Sequence, residues 1–169
     1  MRWVDHIMDQ GKVPEVGSRA IDFELPDEIG RPVRLSEVWE RGPVLLLFYP
    51  TDFGMHCSLQ MGQIRDSFDR FEGLGVTILG ISTNTVRSHG TWQSNLRLPF
   101  HLVSDLDGKV AMSYGMMCPE DSWLKGRSCR SAFLVGTKGV VLYAWVPPDQ
   151  SYTPDVDALL EAIRQALTT

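Results

Sequence analysis

The stretch VLLLFYPTDFGMHCSLQ, from Val44 to Gln60, decides the fold of this chain. Its first six residues, Val44 to Tyr49, form an uninterrupted apolar run, which is typical of a strand buried on both faces. A short polar loop follows, and apolar residues then recur at helical spacing from Ile64 to Phe71. The pattern predicts a strand, a loop and a helix, with Cys57 in or just before the first helical turn.

Cys57 is a candidate reactive residue because of that position. The first N–H groups of a helix have no internal acceptor, and the aligned peptide dipoles place partial positive charge there, so an anion is favoured. The thiolate is the reactive form of cysteine. The other interpretation is a small buried apolar side chain, which is how most free cysteines behave. The pattern by itself leaves both interpretations open.

Composition narrows the class of protein. A chain of 169 residues fits one domain spanning residues 1–169, with a core that needs no metal or disulfide. Its 43% hydrophobic and 22% charged residues are ordinary for a globular protein. The net charge of −5, without any cluster of Lys or Arg, argues against nucleic acid as a partner.

Targeting and cysteine patterns predict a cytoplasmic protein without a metal. Residues 1–17 contain no apolar run of signal-peptide length, and no segment approaches the apolar length needed to span a bilayer. The three cysteines, Cys57, Cys118 and Cys129, are widely spaced and do not indicate a secreted disulfide framework. They also lack zinc-type spacing, and adjacent His56 and Cys57 point apart in a helical turn. We therefore expect no metal and no other cofactor.

The rest of the chain predicts a mixed sheet covered by helices on both faces. Further strands are expected over residues 20–25, 33–35, 76–82, 100–103, 131–135 and 140–146. Helices are expected over residues 85–96, capped by Thr85 or Asn84, and over residues 153–167, capped by Thr153. A weakly helical pattern covers residues 1–14, and residues 115–128 have no clear period and are interpreted as an irregular loop.

Five sequence blocks, in this order and spacing, carry a resemblance to a known family. They are AIDFELPDEIGRPVRLSE, FYPTDFGMHCSLQ, GIST, LPFHLVSDLDGKVAMSYGM and RSAFLVGTKGVVLY. Over residues 16–147 the chain resembles the peroxiredoxins, the thiol peroxidases of the alkyl hydroperoxide reductase and thiol-specific antioxidant superfamily. The bacterioferritin-comigratory and one-cysteine branches are nearest in pattern. The resemblance implies an α/β thioredoxin fold, with a mixed central sheet flanked by helices and an added N-terminal hairpin.

The resemblance also implies which residues are catalytic. The family motif is Pro, three residues, Thr or Ser, two residues and Cys, followed much later by an Arg just before a strand. Pro50, Cys57 and Arg130 match it. A guanidinium can hold a thiolate and orient a peroxide oxygen together, and attack by sulfur on that oxygen would produce a sulfenic acid. For Arg130 taken alone, a surface ion pair is the alternative interpretation.

Three more residues fall where the family lines its substrate pocket: Tyr49, Gly54 and Gln60. Gly54 departs from the motif, because the family has a hydroxyl at this position that hydrogen-bonds the sulfur and the bound peroxide. Loss of one such group typically lowers the rate by ~10²-fold or more. Thr51 and His56 are the neighbouring side chains that can substitute for the missing hydroxyl.

The implied function is a thiol-dependent peroxidase that reduces hydrogen peroxide or organic hydroperoxides through a Cys57 sulfenic acid. Its reductant would be a thioredoxin-like protein or a low-molecular-weight thiol, and the protein would be a monomer or a homodimer. The position five residues after Cys57, where one branch keeps a resolving cysteine, is Gly62. An external thiol, Cys118 and Cys129 therefore remain as alternatives for reducing the sulfenic acid.

Two other functions are compatible with the same fold. A thiol–disulfide oxidoreductase is one, although the chain lacks a CxxC pair. A non-enzymatic redox sensor that has lost the hydroxyl at Gly54 is the other. Fold does not determine function, so the rate of oxidation by peroxide must decide between them.

Overall fold

Strand β3 (Val44–Phe48) lies at the centre of the computed structural model, which describes residues 12–168. The helical pattern expected over residues 1–14 falls mainly outside that range. All five residues of β3 are buried, because the strand has a neighbour on each edge: parallel β4 (Thr77–Ser82) and antiparallel β6 (Ser131–Val135). The continuous apolar run predicts this central position correctly.

Two outer strands complete a five-stranded mixed sheet. β5 (His101–Ser104) pairs parallel to β4, and β7 (Val141–Trp145) pairs antiparallel to β6, which gives the order β5-β4-β3-β6-β7. A separate two-stranded hairpin is formed by β1 (Glu24–Pro26) and β2 (Pro32–Arg34). The expected mixed sheet and the added N-terminal hairpin are both present, although β1 is shorter than the predicted run over residues 20–25.

Six helices lie along the described part of the chain. They are α1 (Leu35–Trp39), α2 (Met55–Asp66), α3 (Phe68–Gly73), α4 (Val86–Leu96), α5 (Lys109–Ser113) and α6 (Val156–Thr168). Over residues 12–168, none of the helices combines the length and apolar character that crossing a bilayer requires.

The observed first residues of α4 and α6 can be compared with the capping residues predicted from the sequence. Thr85 caps α4 as predicted, and its side-chain oxygen accepts a hydrogen bond from the Ser88 N–H at 3.1 Å. The prediction for α6 is wrong, because that helix begins at Val156 rather than after Thr153. Asp155 is the residue that accepts there: its carboxylate receives the Asp157 N–H at 3.0 Å, a favourable interaction at a helix N-terminus.

The sheet separates two apolar cores. Successive side chains of β3 point to opposite faces, so Leu45 and Leu47 contact the side covered by α2, α3, α4 and α6. Leu46 and Phe48 contact the side covered by α1 and α5. Burying one such side chain stabilises the fold by about 1.5–3 kcal/mol. Cys57 belongs to the first core, which places it on the α2 face of the sheet.

The turn of the N-terminal hairpin is fastened to β5. The Glu28 carboxylate accepts hydrogen bonds from the Leu102 N–H at 3.2 Å and from His101 Nδ1 at 2.8 Å. Asp27 lies 3.8 Å from the same His101 nitrogen. The carboxylates of Asp27 and Glu28 and the imidazole of His101 are close enough together to hold a metal, but Glu28 and His101 are already paired with each other.

Candidate active site

Cys57 is the third residue of α2 and is only 3% exposed. The first hydrogen bond of the helix is donated by the Ser58 N–H to the Gly54 carbonyl at 2.8 Å. The N–H groups of Met55, His56 and Cys57 precede it and have no helical acceptor. The sulfur therefore lies where donors and the helix dipole favour an anion, as the sequence pattern predicts.

Arg130 brings a positive charge to this sulfur from a distant part of the chain. It immediately precedes β6 and is 2% exposed. Both terminal nitrogens of its guanidinium lie 3.6 Å from Cys57 Sγ, within hydrogen-bond distance for sulfur. The guanidinium is therefore a fixed positive charge with two donors directed at the sulfur.

Two glutamines hold the guanidinium in place. Gln60, one helical turn after Cys57, is buried and accepts a hydrogen bond from Arg130 through its Oε1. Gln150, in the segment after β7, accepts the Arg130 backbone N–H through its side-chain oxygen, and its backbone carbonyl accepts from Arg130 Nε at 3.5 Å. Gln60 was expected to line a substrate pocket, whereas here it contacts Arg130 and is not part of the cavity wall. Gln150 was not foreseen, because one glutamine in a polar segment gives no sequence signal.

An open cavity of about 730 Å³ reaches Cys57 and Arg130. Pro50 and Gly54, which were predicted from the motif, lie in the same wall. Residues from the irregular loop over 115–128 also line it. Pro50 has no N–H and a fixed φ, so it shapes the wall without adding a donor.

Gly54 faces the sulfur directly. A Cβ atom added at this position would lie 3.6 Å from Cys57 Sγ and 3.1 Å from the Thr51 methyl group. The Gly54 backbone, with φ −67° and ψ 144°, is one that any residue can adopt. Thr51 does not replace the missing hydroxyl at the sulfur, because its own hydroxyl donates to the Asp52 carbonyl at 3.0 Å.

Tyr49 is buried beneath the site rather than in the cavity wall. Its hydroxyl donates to the Asp52 carboxylate at 2.7 Å. Burial, together with the neighbouring Asp52, raises the pKa of Tyr49 well above its usual value, so the hydroxyl stays protonated and donates. The predicted pocket residue therefore contributes by anchoring the loop that precedes Cys57.

The same carboxylate pairs with a buried histidine that the sequence analysis missed. Nδ1 of His89 lies 2.8 Å from the Asp52 carboxylate, and Nε2 lies 3.1 Å from the Val103 carbonyl. Each ring nitrogen of His89 therefore faces an oxygen atom, and the imidazole and the carboxylate form a fully buried pair. His89 falls three residues after Val86 and three before Trp92, so the helical spacing did contain a signal for its burial.

This pair fixes a strained loop. Phe53, between Asp52 and Gly54, has φ +66°, a left-handed conformation that a bulky side chain rarely adopts. The Asp52 N–H donates to the Asn84 side chain at 2.9 Å, while the Asp52 carboxylate binds His89 and Tyr49. The hydrogen bonds hold the loop in the shape that delivers Cys57 to Arg130.

The other two cysteines are joined to each other. A disulfide links Cys118 and Cys129, whose Cα atoms lie 5.1 Å apart. Both sulfurs belong to the core on the Phe48 side of the sheet, opposite Cys57. The structure therefore does not bring Cys118 or Cys129 to Cys57. Sequence spacing, which showed no disulfide framework, gave no indication of this bond.

Known proteins resemble this chain over most of its length. Residues 16–144 match the model of the AhpC/TSA family. A putative chloroplastic peroxiredoxin Q from Oryza sativa subsp. indica is 36% identical over 135 residues, covering 80% of this chain and 60% of that protein. A putative peroxiredoxin bcp from Coxiella burnetii is 34% identical, covering 78% of this chain and 87% of that protein.

A solved structure agrees with the sequence relatives. Peroxidoxin BcpB from Mycobacterium tuberculosis superimposes with a TM-score of 0.80 at 30% identity, covering 90% of this chain and 97% of that one. This likeness confirms the thioredoxin fold with its added hairpin, and the bcp names agree with the branch expected from the sequence blocks. The chain belongs to the AhpC/TSA family.

Proposed function

We propose that the protein is a thiol-dependent peroxidase that reduces hydroperoxides through a sulfenic acid on Cys57. The observation that carries the proposal is the position of both terminal Arg130 nitrogens 3.6 Å from Cys57 Sγ, at a helix start that opens into a cavity. The peroxiredoxin names of the relatives from Oryza sativa and Coxiella burnetii point to the same reaction.

The chemical step is a displacement at oxygen. The Cys57 thiolate attacks the terminal oxygen of the hydroperoxide, a sulfur–oxygen bond forms and the oxygen–oxygen bond breaks. The leaving alkoxide, or hydroxide for hydrogen peroxide, takes a proton and departs as alcohol or water. Cys57 is oxidised to the sulfenic acid, and the peroxide is reduced by two electrons.

Each neighbouring group has a part in this step. Arg130 stabilises the thiolate before attack, and its two nitrogens also face the oxygen atoms as charge moves onto the leaving group. The N–H groups of His56 and Cys57 at the helix start are donors for the same oxygens. Gln60 positions Arg130 through its side-chain oxygen, since it contacts the guanidinium and not the cavity.

Reduction of the sulfenic acid requires an external thiol. One thiol condenses with the Cys57 sulfenic acid to give a mixed disulfide and water, and a second thiol releases Cys57 as its thiol. The bond between Cys118 and Cys129 supports this route, because neither sulfur is free to attack Cys57. A thioredoxin-like protein or a low-molecular-weight thiol fits the requirement.

The expectations of a monomer or homodimer and of a cytoplasmic location stay predictions. Analytical ultracentrifugation of the purified protein tests the first, and fractionation of the source cells tests the second.

Peroxide consumption with a generic thiol donor tests the function. We expect the wild type to consume peroxide and Cys57→Ser to fall to the rate of the buffer, because serine cannot provide a thiolate. A Cys57→Ser variant as active as the parent would remove Cys57 from the mechanism. The double variant Cys118→Ser with Cys129→Ser removes the two sulfurs on the opposite face of the sheet, and peroxide consumption that persists in it assigns the reaction to Cys57.

The two alternative functions predict different results in the same assays. Stopped-flow oxidation of Cys57 no faster than that of a free thiol would favour a sensor. Reduction of insulin disulfides without peroxide turnover would favour a thiol–disulfide oxidoreductase.

A further inference from the structure

His56 lies beside Cys57 at the start of α2 and lines the same cavity. Its side chain is exposed, and within residues 12–168 its imidazole forms no hydrogen bond or ion pair. Consecutive residues of a helix leave the axis about 100° apart, so the imidazole and the sulfur reach the cavity from different directions. An imidazole placed in this way is available to a molecule that enters the cavity.

The leaving group of the peroxidase step is a strong base. Hydroxide is the conjugate base of water, whose pKa in bulk is about 15.7, and alkoxides are of similar strength. Such a group leaves faster when a proton arrives as the oxygen–oxygen bond breaks, and a positioned acid typically contributes ~10²–10⁴-fold. The site therefore benefits from a proton donor on the side of the peroxide away from the sulfur.

Among the side chains of residues 12–168 that line the cavity, His56 is the one suited to give up a proton near neutral pH. Arg127 and Arg130 keep their protons throughout the physiological range. Hydrogen bonds from the Ser151 hydroxyl and N–H lower the pKa of the Asp149 carboxyl, so this group is ionised and has no proton to give. The other polar groups in the wall are hydroxyls, an amide and an indole, which donate hydrogen bonds but are far weaker acids than an imidazolium.

We propose that His56 is a catalytic residue that protonates the leaving oxygen of the hydroperoxide. As the Cys57 thiolate bonds to the terminal oxygen, the oxygen–oxygen bond breaks and its electron pair stays on the leaving oxygen. The His56 imidazolium gives that oxygen a proton, water or an alcohol departs, and the neutral imidazole regains a proton from solvent. The proposal rests on the peroxidase function and names the source of its proton. It also supplies an acid to a site in which Gly54 offers no hydroxyl.

The test varies the leaving group while the nucleophile stays the same. Stopped-flow fluorescence measures the rate constant of Cys57 oxidation by hydrogen peroxide and by peracetic acid, in the wild type and in His56→Gln. Peracetic acid releases acetate, and because a carboxylic acid has a pKa of roughly 4, this leaving group needs no proton. Glutamine keeps a hydrogen-bond donor but is not an acid, so the variant isolates the proton transfer.

His56→Gln should lower the rate constant with hydrogen peroxide by about tenfold or more, less than the largest effects of general acids because water in the open cavity can supply part of the protons. The rate constant with peracetic acid should change by less than about twofold. Alkylation by iodoacetamide displaces iodide, which also needs no proton, so it reports the thiolate alone and should keep its rate.

Leu59→Gln is the matched control. It places the same side chain on an exposed position of α2 outside the cavity wall. All three wild-type rates should persist in it. Circular dichroism of each variant confirms that it is folded, and His56→Asn, a second amide at the same exposed position, should repeat the pattern of His56→Gln.

The outcomes separate this inference from the proposed function. Equal losses with all three reagents would assign the effect of His56 to the thiolate and overturn its role as the acid. An unchanged rate constant with hydrogen peroxide in both amide variants, or an equal loss in Leu59→Gln, would overturn it as well. The peroxidase function itself fails on a different observation, which is a wild-type rate constant with hydrogen peroxide no greater than that of a free thiol.

Discussion

Gly54 lies beside the sulfur of Cys57, so the first atom of a side chain at this position would contact the reacting atom. A Cβ at position 54 would be 3.6 Å from Cys57 Sγ, and the extended backbone there accepts any residue. A hydroxyl in this place can donate to the thiolate or to the bound peroxide. The chain therefore has the geometry for one more stabilising hydrogen bond than its sequence supplies.

Gly54→Ser should increase the rate constant of Cys57 oxidation by peroxide. One aligned donor is commonly worth ~10²-fold in rate, and we expect about tenfold or more for a hydroxyl that is not otherwise optimised. Stopped-flow fluorescence measures the rate constant. Gly54→Ala is the matched control, because it adds the same Cβ near Thr51 without the hydroxyl. Equal rates in the serine and alanine variants would contradict the prediction.

Asp52→Asn should destabilise the fold by roughly 3–5 kcal/mol, because it removes the buried carboxylate that pairs with His89. Urea unfolding measures the difference. The control is Ser88→Ala, which removes one hydroxyl donor from the same carboxylate and should lower stability by only about 1 kcal/mol. Losses of equal size in the two variants would contradict the prediction.

At the scale of elements, Glu28 joins the N-terminal hairpin to β5. Burial alone would raise the pKa of Glu28, but hydrogen bonds, with His101 first among them, lower it from 4.5 to about 2. The hydrogen bond to Glu28 in turn raises the pKa of His101 above its usual 6.5. The Glu28 side chain is buried, but the His101 side chain is 57% exposed, which weakens the pair relative to a fully buried one.

The contribution of this pair to stability should depend on pH. For Glu28 it is present above pH 4.5 and is lost as the pH falls toward the folded value of about 2. For His101 it is present below pH 6.5 and is lost as the pH rises through the raised value. The difference in unfolding free energy between wild type and Glu28→Gln should therefore be larger at about pH 5.5 than at roughly pH 9. Urea titrations at both pH values provide the check, and a difference that grows toward pH 9 would contradict it.

At the scale of the whole molecule, the sheet separates the free thiol of Cys57 from the disulfide of the other two cysteines. Cys57 is in the core on the α2 face, and the disulfide of Cys118 and Cys129 is in the core on the other face. The disulfide closes the loop over residues 118–129, which also supplies Trp123 and Arg127 to the cavity wall. The disulfide therefore stabilises residues that line the site, although its sulfurs lie on the face of the sheet opposite Cys57.

Reduction of this disulfide should lower the unfolding free energy by about 2–3 kcal/mol, as expected for a loop closed over a separation of 11 residues. Urea unfolding of the wild type with and without dithiothreitol measures the loss. A double variant, Cys118→Ser with Cys129→Ser, should have the lower unfolding free energy of the reduced wild type, both with and without dithiothreitol. Wild-type stability that does not respond to the reductant would contradict the prediction.

Local patterns predicted most elements of the fold. The apolar run of β3, the proline after it and the helical spacing after Cys57 are relations between near neighbours. Thr85 likewise caps its helix by accepting a bond from three residues away. The error at Thr153 arose because several polar residues before a helix compete for one cap, and the backbone path selected Asp155.

The sequence by itself determined the central strand, the loop and the helix that presents Cys57, and the match of motifs singled out Arg130. Only the tertiary structure joined these groups to Gln150, paired His89 with Asp52, bonded Cys118 to Cys129 and placed Arg127 in the lining of the cavity. The reason is physical. Helix and strand preferences act over a few residues, whereas a contact such as that of Arg130 with Cys57 spans 73 positions and exists only after the sheet has formed.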